Sequence, residues 1–187
     1  MVRHLIHHER IDVNKPSGEA SPFLVACQEG HQDIVAMLLA DRRVDVRKPP
    51  SDGASGFFVA CQNGHVEVVT LLLTDPRTDV NAPRTDNSSP LWFATQNGHL
   101  DIVRLLLSVS PEVDTGRRSK FNQKTAAEQG RMQPRVVKSL DETDDDVKRR
   151  ATNGPAIAIL LDEYDRNPAI LRESLRRLKG IRGLWSL

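Results

Sequence analysis
Six histidines and two cysteines are the side chains here best suited to making and breaking bonds, and their spacing decides what chemistry is open to the chain. His31, His65 and His99 recur at 34-residue intervals, each directly after a glycine, while His4, His7 and His8 stand at i, i+3 and i+4. A general-base histidine needs a nucleophile and an orienting partner of other residue types within reach. Periodic copies of one residue supply neither, so these three histidines are expected to be structural. His4, His7 and His8 have helical spacing for a metal ion, but no cysteine or second cluster completes a ligand set, and solvation is their expected role. Cys27 and Cys61 occupy the same slot one period apart. Packed helical layers lie about 10 Å apart, beyond the ~7 Å span of a disulfide, so both are expected as small reduced core residues. The sequence contains no glycine-rich phosphate loop, nucleophile elbow, paired-cysteine motif or zinc-protease helix. The expectation is a protein without catalytic residues, metal or cofactor.

The elements carrying these residues repeat with them. The first copy runs Ser21-Pro22-Phe23-Leu24-Val25-Ala26-Cys27-Gln28-Glu29-Gly30-His31, then Ile34-Val35 and Leu38-Leu39. The second has Ala60, Cys61, Gln62, Val68, Val69 and Leu71 to Leu73 in matching slots. The third has Ser89-Pro90-Leu91-Trp92-Phe93-Ala94 before Gly98-His99, then Ile102-Val103 and Leu105 to Leu107. Ser21 and Ser89 suit a helix N-cap, and Pro22 and Pro90 suit the first helical position, where no amide is needed. Gly30, Gly64 and Gly98 stop each short helix in a left-handed conformation that costs glycine little. A second, amphipathic helix follows each stop, and Asp45-Val46 or Asp79-Val80 leads into a turn-rich loop. Fixed-period copies of so small a unit bury apolar surface only by stacking on their neighbours.

At these residues the chain resembles the ankyrin repeat family, whose pattern runs Thr-Pro-Leu-His-x-Ala-Ala-x-x-Gly-His, a Val-Val-x-Leu-Leu helix, then Asp-Val-Asn. The resemblance covers roughly residues 5 to 140: a half repeat to Asn14, three full repeats, and a degenerate copy containing Thr125-Ala126-Ala127 and Val136 to Leu140. It implies an all-α solenoid of helix-turn-helix repeats. A tetratricopeptide array shares the period but lacks the Pro-initiated short helix, the Gly-His turn and the Asp-Val loop. The family's Thr-Pro-Leu-His histidine, which resembles a hydrogen-bonded link between loops, is replaced by Leu24, Phe58 and Trp92, so that interlock is expected to be absent. The second copy has Ser55-Gly56 in place of Ser-Pro, which predicts a weaker helix start by about 0.5 to 1 kcal/mol and a middle repeat prone to fraying.

The resemblance also implies a function: binding another protein through the loop tips and the concave face of the short helices. Carried over position by position, that surface comprises Asp52, Ala54, Thr85, Asp86 and Ser88 at the tips. Gln28, Glu29, Gln62, Asn63, Gln96 and Asn97 stand at the helix ends. Phe58 and Trp92 are either aromatic anchors of this interface or packing between repeats, and the second reading is favoured because apolar helix residues near a core are usually core. Asn14 and Asn81 complete Asp-Val-Asn loops, whose asparagines are hydroxylated in some relatives.

From Asp141 the chain carries five acids, then Lys148, Arg149 and Arg150, and reads as a charged linker over 141–154. Calcium is not expected there, because the spaced loop and turn glycine of a calcium site are missing. Pro155 is expected to open a helix through Tyr164, and Asn167-Pro168 a second one ending at Gly180. Residues 155–187 thus form a helical hairpin capping a repeat array over 1–140. The alternative partners, anionic membrane or nucleic acid, rest on Arg172, Arg176, Arg177 and Lys179 of the last helix; a third reading makes the chain a regulatory fragment of a larger enzyme. The tail Ile181 to Leu187 is left without a role. Aromatics at 4% leave Leu, Val, Ile and Ala to build the core, and a net charge of +1 supplies no global attraction to polyanions. With no 18-residue apolar run and no apolar leader, the expected setting is intracellular: cytoplasmic or nuclear.

Overall fold
A computed structural model of the chain describes residues 12–18, 20–47, 49–109, 112–120, 122–132 and 143–179. The described residues are helical, with no strand beyond one isolated bridge between Ser17 and Ala20. Two compact units divide the chain after Pro90.

In the first unit the helices come in pairs. Helix α1 (Pro22–Gln28) precedes α2 (Gln32–Ala40), and α3 (Gly56–Asn63) precedes α4 (Val66–Leu73). The starts follow the capping chemistry of the sequence: Ser21 Oγ accepts from Leu24 N at 3.2 Å, and Ser55 Oγ from Phe58 N at 3.1 Å. The turns are built alike. His31 N–H donates to the Ala26 carbonyl and His65 N–H to that of Ala60, while the carbonyls of His31 and His65 accept from Val35 and Val69. Each histidine backbone thus ends one helix and starts the next, satisfying groups that helix termini would otherwise leave unpaired. Within the unit α1 packs on α2, α3 on α4, α1 on α3, and α2 on α4. The core is Phe23, Leu24, Cys27, Val35, Leu38, Phe57, Phe58, Cys61, Val68, Val69 and Leu72.

Helix α3 forms over its full length in spite of its glycine start. Gly56 is buried, and a Cβ placed on it would lie 2.7 Å from the Phe23 ring and 3.0 Å from Cys27 Sγ. The missing side chain is room taken by Phe23 of the preceding repeat. Glycine at this position lets two short helices approach closely, and the Ser55 cap secures the start that proline would have favoured.

The second unit begins within α5 (Pro90–Gln96) and continues through α6 (Leu100–Val109), whose entry repeats the turn: His99 N–H donates to Ala94 O at 2.8 Å. The degenerate copy keeps one short helix, α7 (Ala126–Gly130), opened by a capping box between Thr125 and Glu128. Its second half, Val136 to Leu140, lies outside the described residues. Helices α8 (Asp144–Arg166) and α9 (Pro168–Lys179) complete the unit. Helix α8 packs on α6, α7 and α9, and α9 also packs on α6, burying Ile157, Leu161, Tyr164 and Leu175.

Here the structure departs from the expected linker. Residues 144–154 are helical, and α8 runs unbroken through Pro155. A second capping box sets the start: Thr143 Oγ1 accepts from Asp146 N, and the Asp146 carboxylate accepts from Thr143 N. Three aspartates in the first turn face the positive end of the helix dipole, so the charges read as a solvated spacer act as a helix start.

Candidate functional site
The residues with chemical potential are placed for structure. His31 is exposed, and His65 Nε2 donates to the Gln28 carbonyl at 2.8 Å. Cys27 and Cys61 are buried free thiols; burial pushes Cys27 up to about 12 and raises Cys61 as well. Neither thiol ionises near neutrality, which fits the core role expected of both. Among the described residues, no three of His, Cys, Asp or Glu gather as a metal site; His4, His7 and His8 lie outside them.

Repeat-to-repeat hydrogen bonds hold the surface of the first unit. Asn63 Nδ2 donates to the Gln28 carbonyl at 2.9 Å, doubling the His65 bond to the same oxygen. Thr85 N donates to Asp52 O at 3.0 Å, and Asp52 Oδ1 accepts from Ala54 N. Asn14 bridges two loops, donating to Arg43 O and accepting from Asp45 N. A family-type histidine link is absent at Leu24 and Phe58, and these contacts supply polar ties between copies in its place.

One such tie was not anticipated. Arg77 clamps Asp75 through Nε and Nη2, with Nη2–Oδ2 at 2.6 Å, and also donates to Leu39 O at 2.9 Å and Val44 O at 3.4 Å in the preceding repeat. The clamp's hydrogen bonds hold the Asp75 carboxyl below its ordinary range. Arg43 makes the same bidentate clamp on Asp41. The signal was present as Asp-x-Arg recurring at the repeat period, hidden because position-by-position reading followed the helices.

The proposed contact residues separate by exposure. Gln28, Glu29, Asp52, Asn63 and Thr85 are exposed in the first unit; Gln62 and Asp86 are half-buried there. Ser88 and Ala54 are buried, and the Ser88 carbonyl accepts from Arg84 N, so both leave the candidate surface. Phe58 is 0% exposed and Trp92 2%, so the packing reading describes both aromatics and the anchor reading falls. Trp92 Nε1 donates to Lys124 O at 3.1 Å and its ring meets Phe93 edge-on at 5.0 Å. Beside the first unit's loops a cleft of about 350 Å³ is lined by Phe23, Val46, Phe57 and Ala82, with Arg47 and Asp79 among its polar walls.

In the second unit Gln96 and Asn97 are half-buried, and the Asn97 carbonyl is taken by Arg149 Nε at 3.1 Å. Asn153 Nδ2 donates to Gly98 O at 2.9 Å. Helix α8 thus engages the third repeat's turn much as Asn63 and His65 engage the first repeat's. Two basic residues of α9 turn onto the fold, Arg172 lying over the Tyr164 ring and donating to its hydroxyl and Arg176 donating to Ser108 O. Arg177 pairs with Glu173 at the surface, and the Lys179 side chain lies outside the described residues. No helix among the described residues is long and apolar enough to cross a membrane.

Comparison with known proteins gives two matches. A model of the ankyrin repeat matches residues 19–49, and one of ankyrin repeats in three copies matches residues 44–119. No curated protein matches the chain.

Proposed function
This chain belongs to the ankyrin repeat family, whose repeats generally mediate protein–protein interaction, and from that premise we propose that it is a non-enzymatic adaptor whose first unit grips a partner protein. The contact surface is Gln28, Glu29, Asp52, Asn63 and Thr85, with Gln62 and Asp86 at its margin. One observation supports this most: exposed polar side chains stand on backbone that hydrogen bonds fix from one repeat to the next, such as Thr85 N to Asp52 O and Asn63 Nδ2 to Gln28 O. A surface ordered before binding loses little conformational freedom on association. Gln96 and Asn97 enter this reading as a separate patch on the second unit.

Affinity capture from cells, run beside a Gln28→Lys, Glu29→Lys, Thr85→Lys variant, tests the proposal. The wild type is expected to retain a partner that the variant loses at unchanged thermal stability. Identical partner sets for the two would sink it. The competing reading, a basic C-terminal helix recruiting membrane or nucleic acid, is disfavoured by the inward engagement of Arg172 and Arg176.

A further inference from the structure
We propose that Thr152 is an acceptor for a basophilic serine/threonine kinase, and that its phosphate takes Arg149 away from the repeat turn that α8 holds. This inference is independent of which partner the first unit binds. Such kinases read guanidinium groups two and three residues ahead of the acceptor with carboxylates, through charge-assisted hydrogen bonds. The chain offers that pattern as Arg149-Arg150-Ala151-Thr152. Ser119 also follows a pair of arginines, but they stand one and two residues ahead and Ser119 is 0% exposed, whereas Thr152 is on the exposed side of α8. Arginine spacing and exposure therefore both favour Thr152.

The position is also one where the helix is weak. Pro155 has no N–H, so the Ala151 carbonyl lacks its intrahelical donor, and Gly154 adjoins it. Opening α8 on the N-terminal side of Pro155 gives a kinase the extended segment it needs, at the cost of the Arg149–Asn97 and Asn153–Gly98 bonds. In the transfer, Thr152 Oγ attacks the γ-phosphorus of magnesium-bound ATP. The new O–P bond forms as the bond to the β-phosphate's bridging oxygen breaks; ADP leaves, and the hydroxyl proton passes to the kinase's carboxylate base. The product carries about two negative charges one helical turn from Arg149 and Lys148. Arg149 now divides its guanidinium between Asn97 O and Asp146. The dianion is the stronger partner, so Arg149 releases the Asn97 carbonyl.

The test is to incubate the folded full chain with ATP and the catalytic subunit of cyclic-AMP-dependent protein kinase, and to map phosphate by tandem mass spectrometry. One phosphate on Thr152, absent from a Thr152→Ala variant, is expected; none, or incorporation that survives in that variant, overturns the site. Pro155→Ala restores a donor for the Ala151 carbonyl, and one hydrogen bond's worth of added helix stability should slow incorporation about fivefold. Equal rates overturn the opening route. Amide exchange across 97–103 should quicken after phosphorylation, and unchanged exchange overturns the release of Asn97 by Arg149.

Discussion

Single positions carry more of the repeat geometry than their residue types suggest. At Gly56 the family pattern has proline, which ordinarily strengthens a helix start. Yet Gly56→Pro should destabilise the chain by about 1 to 3 kcal/mol, because its side chain would enter space held by the Phe23 ring. A rise in the urea midpoint would show that helix preference outweighs packing. Gly18 and Gly30 share a left-handed backbone, with φ of 68° and 74°. A Cβ at Gly18 meets nothing within 4 Å, whereas one at Gly30 would lie 2.5 Å from His65 Nδ1. Gly18→Ala should therefore cost about 1 kcal/mol, the backbone penalty alone, and Gly30→Ala distinctly more. Equal costs by denaturant unfolding would mean that the His65 ring moves aside freely. For Arg77, replacement by Gln leaves Asp75 and two carbonyls short of donors, a loss of about 2 kcal/mol that Arg77→Lys does not recover, since an ammonium lacks the planar fork. Full recovery by lysine would reduce the clamp to a point charge.

Among the elements, α8 holds the clearest pH dependence. Hydrogen bonds from the Thr143 side chain and backbone, then Arg149, pull the Asp146 carboxyl from 3.8 down to about 2. A carboxyl depressed in the folded state stabilises it above its unfolded value, and that contribution fades as pH falls through the folded one. The first turn of α8 should therefore loosen between about pH 4 and pH 2. Residue-resolved amide exchange will show this, and Thr143→Ala should bring the same loosening at neutral pH. Protection of 144–149 that stays flat across that window would refute it. The same helix shows where reading the sequence went astray. Five acids and a proline argued for a spacer, but Thr143 and Asp146 already stood at capping-box spacing. The roughly 3 kcal/mol that an internal proline costs is offset by burial of Ile157, Ala158, Leu161 and Tyr164 beyond it. Those partners come from distant parts of the chain, and no local signal displays them. Ser21, Gly30 and Gly64, whose capping is done within a few residues, were legible.

For the whole molecule, the fold class followed from period and turn chemistry, and the family match over 19–119 agrees with it. The candidate surface was less legible. Which member of an amphipathic slot faces outward depends on neighbouring copies, so Ser88 and Ala54, placed by analogy, proved buried, while Asp52, Thr85 and Gln28 proved exposed; Phe58 and Trp92 are buried, as the favoured packing reading had them. Because α8 and α9 pack on α6, ending the chain after Met132 should uncover Leu106 and Leu107. That truncation is expected to lose protease resistance across 91–132 while 20–90 stays protected; a resistant 91–132 would show that α6 and α7 stand without cover. The fit of Phe23 against Gly56 has a wider bearing. The second copy is cut to the dimensions of the first, so the order of these two repeats is itself inherited information. Duplicating the first repeat in place of the second would put proline where Gly56 stands against Phe23, and exchanging the two repeats would set that same proline against Phe57. Arrays of this kind can diverge by substitution far more readily than by shuffling.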